Sequence, residues 1–495
     1  MRHVPEEAEP RQSASLDPEV MDCLLAVLDP EIGVSVVHLG LVYRAARTAD
    51  RIDVDLTLTT RACPLGEMLV EDVRGCLRRR FNDCPAIVVR LVWSPAWTPE
   101  RITEIGWSQL GGRKAAAETR PACPAATPAL SSARAMIAIV RLPLLACAVA
   151  ALAAGLGAGL ARLGWDMPQR PVLAALHGPL LICGVFGTLI ALERAVALAQ
   201  PWALLGPLAS ASAAVALLAG LPPQAAGWGF VLAATTLCIA SARTVQLQPA
   251  PFTASLAVGA LAWLSGSILW ALGAAVPDLV GWWLAFLVLT VAGERLELSR
   301  LTAPRRASLP LYTVACGLIL AGAAIRLTKP AGAALMGGGL LMLTGWLVRH
   351  DIAVHTIRRV GQARFMAACM LAGYVWLGLA GLAFLAVPPM ETAFGYDIAL
   401  HAILIGFVLS MVFGHAPIIL PAVARIPVRY GPVLYGPLIL LHASVALRVG
   451  SDLALWHPGR RWSGVMTVTA LLAYPLCVAA LTRGGPRPPS RQAPS

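Results

Sequence analysis

From about position 136 to 482 the chain is a succession of long apolar stretches, each close to the ~20 residues a helix needs to cross a bilayer. Twelve are counted: 136–161, 171–198, 202–220, 225–244, 252–275, 278–298, 309–327, 331–348, 364–387, 393–421, 431–450 and 462–482. Breaks fall at proline or charge clusters such as Pro222-Pro223, Pro304-Arg305-Arg306 and Pro388-Pro389. In hydrocarbon a backbone must satisfy its own polar groups, so such a series predicts an all-α polytopic bundle. Composition agrees. Hydrophobic residues make up 57% of the 495 and charged residues 13%, against about 25% charged in ordinary globular chains. An all-soluble protein is excluded.

Charge divides the chain in two. Residues 1–112 hold 12 Lys/Arg and 17 Asp/Glu, a net of −5, whereas residues 113–495 hold 27 and 10, a net of +17. The basic residues sit in short clusters between apolar runs, as membrane topology places them, and no nucleic-acid partner is implied. With the N-terminus inside, cytoplasmic segments from Arg134 onward hold 16 Lys/Arg and periplasmic ones 7. This bias predicts cytoplasmic N- and C-termini. The first 20 residues are polar and acidic and contain no secretory signal. The eleven cysteines are scattered without a C-x-x-C pair, which is no disulfide framework.

The expected organisation is a disordered leader (1–15), a small α/β (α+β) soluble domain (16–111), a linker (112–133), the transmembrane domain (134–483) and a disordered tail (484–495). In the soluble domain, Leu16–Leu28 has helical spacing. Val34–Tyr43 and Ile52–Leu58 alternate as strands, Met68–Phe81 has a helical apolar face, and Ile87–Val92 is a β-branched strand.

Three motifs follow one another in this domain: Asp29-Pro30-Glu31-Ile32-Gly33 with His38-Leu39-Gly40-Leu41-Val42-Tyr43; Leu56-Thr57-Leu58-Thr59-Thr60 with Ala62-Cys63-Pro64; and Val92 to Ile102. Together they resemble the small iron–sulfur assembly domain of the SufT and PaaD type over about 17–111. The resemblance implies a role in maturing iron–sulfur proteins, a transiently held cluster, and client or assembly proteins as partners. It maps the functional cysteine onto Cys63 and the Asp-Pro-Glu onto Asp29, Pro30 and Glu31. His38 departs from it, because an Asp usually precedes Leu-Gly-Leu. Beside the resemblance, Cys63 ends a strand just before a helix start near Leu65, where the helix N-terminus favours the iron-ligating thiolate. One cysteine does not hold a cluster alone, so a partner or a homodimer through this domain is expected. Asp29 and Glu31 equally suit the shaping of a turn. Cys23, Cys76 and Cys84 fit core or surface positions.

Ionisable groups inside a bilayer are costly and usually functional. His177, His401 and His442 fall at a common depth, roughly 9–12 Å below the periplasmic surface at 1.5 Å per residue. Ala175-Leu176-His177-Gly178-Pro179-Leu180-Leu181-Ile182 resembles Ala399-Leu400-His401-Ala402-Ile403-Leu404-Ile405, and Leu192-Glu193-Arg194 echoes Gly293-Glu294-Arg295. Helices 2, 6 and 10 are four apart, which suggests three arcs of four. His415 lies near the inner end of helix 10, beside Gly414 and Pro417. His350 and His355 fit a basic interfacial loop, and Met366, Met370 and Met411 fit packing.

Twelve helices with one His on helix 2 and one on helix 10 resemble the haem-bearing subunit of haem–copper oxidases and nitric oxide reductases. The segments around His177 and His415 are also similar to NnrS-type membrane proteins. These resemblances imply haem on His177 and His401, a candidate ligand in His442, copper as a further metal with His415 as a candidate, and a link to nitric oxide. Helices 6 and 7 carry no His, so oxygen reduction at a haem–copper centre is not expected. The leading expectation is a bacterial inner-membrane binding, repair or maturation factor rather than a turnover enzyme. A metal or solute carrier and a nitric oxide reductase-like enzyme are the rivals.

Overall fold

The computed structural model describes residues 16–60, 65–111, 131–168, 172–301, 308–421 and 428–483. The leader, the tail, most of the linker and Cys63 lie outside the described residues. The chain divides into two compact units, Met1–Ala126 and Thr127–Ser495.

The first unit is a three-stranded sheet in the order β1 (Val42–Arg47), β2 (Arg51–Leu56), β3 (Ala86–Leu91). Helix α1 (Pro18–Leu24) precedes it, α2 (Gly66–Arg80) joins β2 to β3, and α3 (Glu104–Leu110) follows. β1 and β2 are antiparallel, so a short turn connects them; β2 and β3 are parallel, which requires the α2 crossover. The α2 face that packs inward carries the buried Leu69, Val73 and Leu77, and α2 lies beside β3 and α1. Asp17 caps α1 by accepting from the amides of Glu19 and Val20, both at 3.0 Å.

The strand expected over Val34–Tyr43 begins only at Val42. Val34, Val36, Leu39 and Leu41 are buried as their pattern predicts, but on a chain of turns. Ser35 accepts from Val37 N through its hydroxyl and from Leu39 N through its carbonyl, and Gly40 takes φ +66°. Local side-chain acceptors and a left-handed glycine compete with the sheet ladder and win. The helix expected over Leu16–Leu28 is shorter, and α3 went unrecognised.

Among the described residues the second unit contains twelve helices long and apolar enough to cross a membrane: Val140–Arg162, His177–Leu198, Pro201–Ala219, Pro223–Leu247, Pro251–Ala271, Val276–Leu301, Ser308–Ile325, Pro330–His350, Gly361–Ala386, Gly395–Ile419, Pro432–Leu453 and His457–Arg483, called spans 1 to 12. They coincide with the twelve apolar stretches of the sequence. The main core, built from spans 1 to 10, combines many alanines and leucines with large aromatic side chains, among them Trp263, Trp283, Trp346, Tyr374 and Phe407, whereas spans 11 and 12 contribute to a second cluster with Phe365 and Phe413. Met366, Met370 and Met411 are buried as well.

Spans 2 and 10 each contain an eight-residue π-helical segment. Span 2 is π-helical over Leu180–Gly187 and span 10 over Ala402–Leu409. In each, the wide turns follow directly on the His segment that the two spans share in sequence. Such segments are rare and concentrate at functional positions.

Candidate functional site

In the first unit the described parts of the three motifs meet, with Thr57 N donating to Leu41 O and Val92 N to Leu56 O, both at 2.8 Å. The Asp29 carboxylate accepts from Glu31 N at 2.9 Å and Ile32 N at 3.1 Å. Gly33 N then donates to Asp29 O at 2.7 Å, with Gly33 at φ +71° closing the turn. Burial, reinforced by the neighbouring Glu31 charge, pushes the Asp29 carboxyl up to about 6, against the pull of the two amides. The third motif clasps the first. Trp97 Nε1 donates to Leu39 O at 2.9 Å, Thr103 N to His38 O at 3.0 Å, and Thr103 Oγ1 lies 3.2 Å from His38 Nδ1. The Arg101 guanidinium stacks over Tyr43 at 4.2 Å. Gly40 fits this clasp because any Cβ would sit 2.3 Å from Arg101 O. His38, which departs from the usual Asp, thus anchors a loop.

Cys63, the cysteine that the resemblance singles out, falls in the sequence between β2 and α2 and lies outside the described residues. Its described neighbours in the chain, Thr60 and Leu65, are buried. The first turn of α2 packs tightly, since a Cβ on Gly66 would lie 2.9 Å from Leu91 Cδ1.

In the membrane unit His177 and His401 meet. Their ring centroids are 6.4 Å apart and their planes differ by 20°. His177 Nδ1 lies 2.7 Å from Gly155 O, and His401 Nδ1 lies 2.9 Å from Asp397 O. A carbonyl only accepts, so both Nδ1 atoms carry the proton, and a neutral ring then has its lone pair on Nε2. Among the described residues neither Nε2 has a hydrogen-bond partner. Gly159 makes room for His177: a Cβ there would lie 2.8 Å from its Cε1.

Behind His401 stands a charge cluster that the sequence did not reveal. Arg448 grips the Asp397 carboxylate with Nε at 2.6 Å and Nη2 at 2.8 Å. Asp452, fully buried, pairs with Arg460 and lies 3.7 Å from Arg448 Nε. Arg460 reaches Asp397 at 3.5 Å and stacks over Phe394 at 3.8 Å. Two acids against two guanidiniums balance, which is how buried charge survives. Asp397 Oδ1 is also 3.4 Å from His401 Nδ1. The available signals were Asp397 four residues before His401 and Asp452 four after Arg448, each pair on one helix face.

His442 and His415 are placed differently. Trp376 Nε1 donates to His442 Nδ1 at 2.9 Å, and His442 Nε2 lies 3.3 Å from Ser410 Oγ, which itself donates to Cys369 O at 2.7 Å. His415 lies between Arg295 Nη2, 3.0 Å from its Nε2, and Met411 O, 2.8 Å from its Nδ1. Both rings have both nitrogens engaged by protein. Among the described residues no three His, Cys, Asp or Glu gather as a metal site.

A bundle of twelve apolar helices preceded by a small α/β domain with this clasped motif set defines a multi-pass membrane protein with an iron–sulfur assembly-type domain. The chain belongs to the family described as Domain of unknown function (DUF8744), which it matches over residues 141–483, and, over residues 17–81, to the family described as Iron-sulfur cluster assembly protein. The soluble unit is 35% identical over 101 residues to the Fe-S protein maturation auxiliary factor YitW of Bacillus subtilis (strain 168), covering 20% of this chain and 95% of that one. It is 35% identical over 86 residues to the Fe-S protein maturation auxiliary factor SufT of Staphylococcus aureus (strain USA300), covering 17% and 97%. A solved domain of unknown function, DUF59, from Bacillus anthracis is 35% identical, with a TM-score of 0.19, covering 19% of this chain and 91% of that one.

Proposed function

We propose that this protein is an iron–sulfur maturation factor fixed to the bacterial inner membrane, in which His177 and His401 hold one haem iron between them. The observation that carries the haem reading is the ring pair. Two imidazoles ligating one iron from opposite sides, with metal–nitrogen bonds of about 2.0 Å, have ring centres about 6.3 Å apart. The separation here is 6.4 Å, with both Nδ1 protons directed at carbonyls and both Nε2 lone pairs available. His177 and His401 would hold the iron through their Nε2 atoms, and when bound the haem would supply a one-electron couple. The Gly155 and Asp397 carbonyls fix each tautomer. Asp397, held by Arg448, places its carboxylate 3.4 Å from His401 Nδ1 and so helps to orient that ring. In the soluble domain Cys63 would hold cluster iron transiently as thiolate at the α2 N-terminus, with a second chain or a client completing the ligand set. The Asp29–Gly33 turn and the Trp97–Arg101 clasp would shape that surface. Clients are iron–sulfur proteins, in keeping with the maturation factors that this domain resembles.

A nitric oxide role follows from chemistry common to both halves, because iron in haem and in clusters is its target. Cytoplasmic termini rest on the charge bias of the loops.

The test is the absorption spectrum and metal content of the full chain purified in detergent. A Soret band present in the parent and absent from both His177→Ala and His401→Ala is expected. Folded protein holding neither haem nor copper refutes the haem reading and favours a carrier. Copper without pigment replaces the haem by a two-coordinate copper between the same rings. Steady nitric oxide consumption by the haem-loaded protein makes it an enzyme.

A further inference from the structure

We propose that Cys23 and Cys76 form a redox-modified dithiol, closed to an intramolecular disulfide by a hydroperoxide. The two sulfurs are 3.1 Å apart, and the Cys76 thiol also donates to Cys23 O at 3.2 Å. They come from different helices, α1 and α2, and from positions 53 residues apart, so their meeting is a product of the tertiary fold. Both side chains are half-buried, which leaves a small oxidant access. A disulfide needs the sulfurs at about 2.0 Å; closing the gap takes about 1 Å, within reach of side-chain rotation. Cys84, the remaining described cysteine of this unit, is turned toward Ala86 O at 3.5 Å instead.

The chemistry balances in two steps. The hydroperoxide transfers an oxygen to the Cys76 sulfur, giving a sulfenic acid and leaving as the alcohol, or as water from hydrogen peroxide. The Cys23 sulfur then attacks the sulfenic sulfur, and its proton departs with the hydroxyl as water. Two thiols and one hydroperoxide give one disulfide, one alcohol and one water. Cys76 is placed first because burial, with Cys76 alongside, pushes the Cys23 thiol up to about 12 and so keeps it protonated.

The link would staple the two elements that flank the candidate cluster surface. α1 ends at Leu24, whose carbonyl accepts from Ser35 beyond the Asp29–Gly33 turn. α2 begins at Gly66, just past Cys63. Oxidation would therefore fix α1 against α2. This inference goes beyond the function proposed above and needs neither haem nor cluster.

The test uses the full chain in detergent, reduced, exposed to hydrogen peroxide, blocked with N-ethylmaleimide and digested without reductant for mass spectrometry. The expected product, from the monomer, is a Cys23–Cys76 linked peptide lighter than the sum of its reduced parts by two hydrogens. It should return to free thiols with dithiothreitol, persist in Cys63→Ser and vanish in Cys76→Ser. Recovery of both Cys23 and Cys76 as maleimide adducts while peroxide consumes other cysteines overturns the proposal. So does a link from either to Cys63, or links found only between two chains. The mapping on the parent protein decides the matter even where Cys76→Ser does not fold.

Discussion

Alanine at Gly159 probes the His177–His401 pair without touching either ligand. Gly159 lies on span 1, one turn from Gly155, whose carbonyl receives the His177 proton. The added Cβ would sit 2.8 Å from His177 Cε1, 3.0 Å from Nδ1 and 3.6 Å from Nε2. Ordinary contact starts near 3.4 Å, so the ring must retreat by about 0.6 Å, away from span 1 and from the Gly155 carbonyl. Ligand sites tolerate displacements of about 0.5 Å, and overpacking of this kind costs about 1–3 kcal/mol. If that cost falls on metal binding, affinity drops roughly tenfold for each 1.4 kcal/mol, so a loss of about 5- to 140-fold is expected. The assay is haem per chain and the oxidised and reduced absorption spectra, set beside Gly338→Ala. At Gly338 a Cβ meets nothing within 4 Å, and that variant should match the parent. A Gly159→Ala protein with parental haem content and an unshifted spectrum would show that His177 is not a ligand, and the reasoning from the ring pair would fail.

Other consequences follow from single contacts. Asp29 is an acid whose folded pKa, about 6, lies above the ordinary carboxyl value of 3.8, so its contribution to stability is full below about pH 4 and is lost as pH rises through 6. The ceiling, at 1.36 kcal/mol per unit, is about 3 kcal/mol. Asp29→Asn should flatten urea-unfolding stability between pH 4 and 7 in a 16–111 fragment, followed by tryptophan fluorescence; an unchanged pH slope counts against the burial argument. Gly40→Ala combines positive φ with a 2.3 Å approach to Arg101 O, and the same fragment should lose more than about 1 kcal/mol, the cost of a strained left-handed residue alone. His442→Ala leaves the Trp376 indole without its acceptor and should lower the thermal unfolding temperature in detergent, with about 1–3 kcal/mol lost. On the present assignment its haem content stays parental, so a pigment-free but folded His442→Ala protein would reassign the ligand.

What the sequence determined by itself is whatever depends on short stretches of chain. The twelve spans are visible because crossing a bilayer needs only length and apolarity, both local properties. Helix α2 and strand β3 were legible for the same reason, and the soluble domain was recognisable from three motifs in order. The depth match of His177 and His401 could also be counted along their helices. Even locally, Val34–Leu41 misled: alternating burial looks the same on a strand and on a chain of turns, and hydrogen bonds from Ser35 and a left-handed Gly40 chose the turns.

Only the tertiary structure decided which side chains meet. Depth gave three histidines equal standing, and azimuth, set by packing of all the spans, turned His177 toward His401 and His442 toward Trp376. The Asp397–Arg448 grip joins residues 51 apart, and Cys23–Cys76 joins residues 53 apart. Contacts of that kind are written in no local pattern, because the free energy that makes them comes from the whole core closing around them.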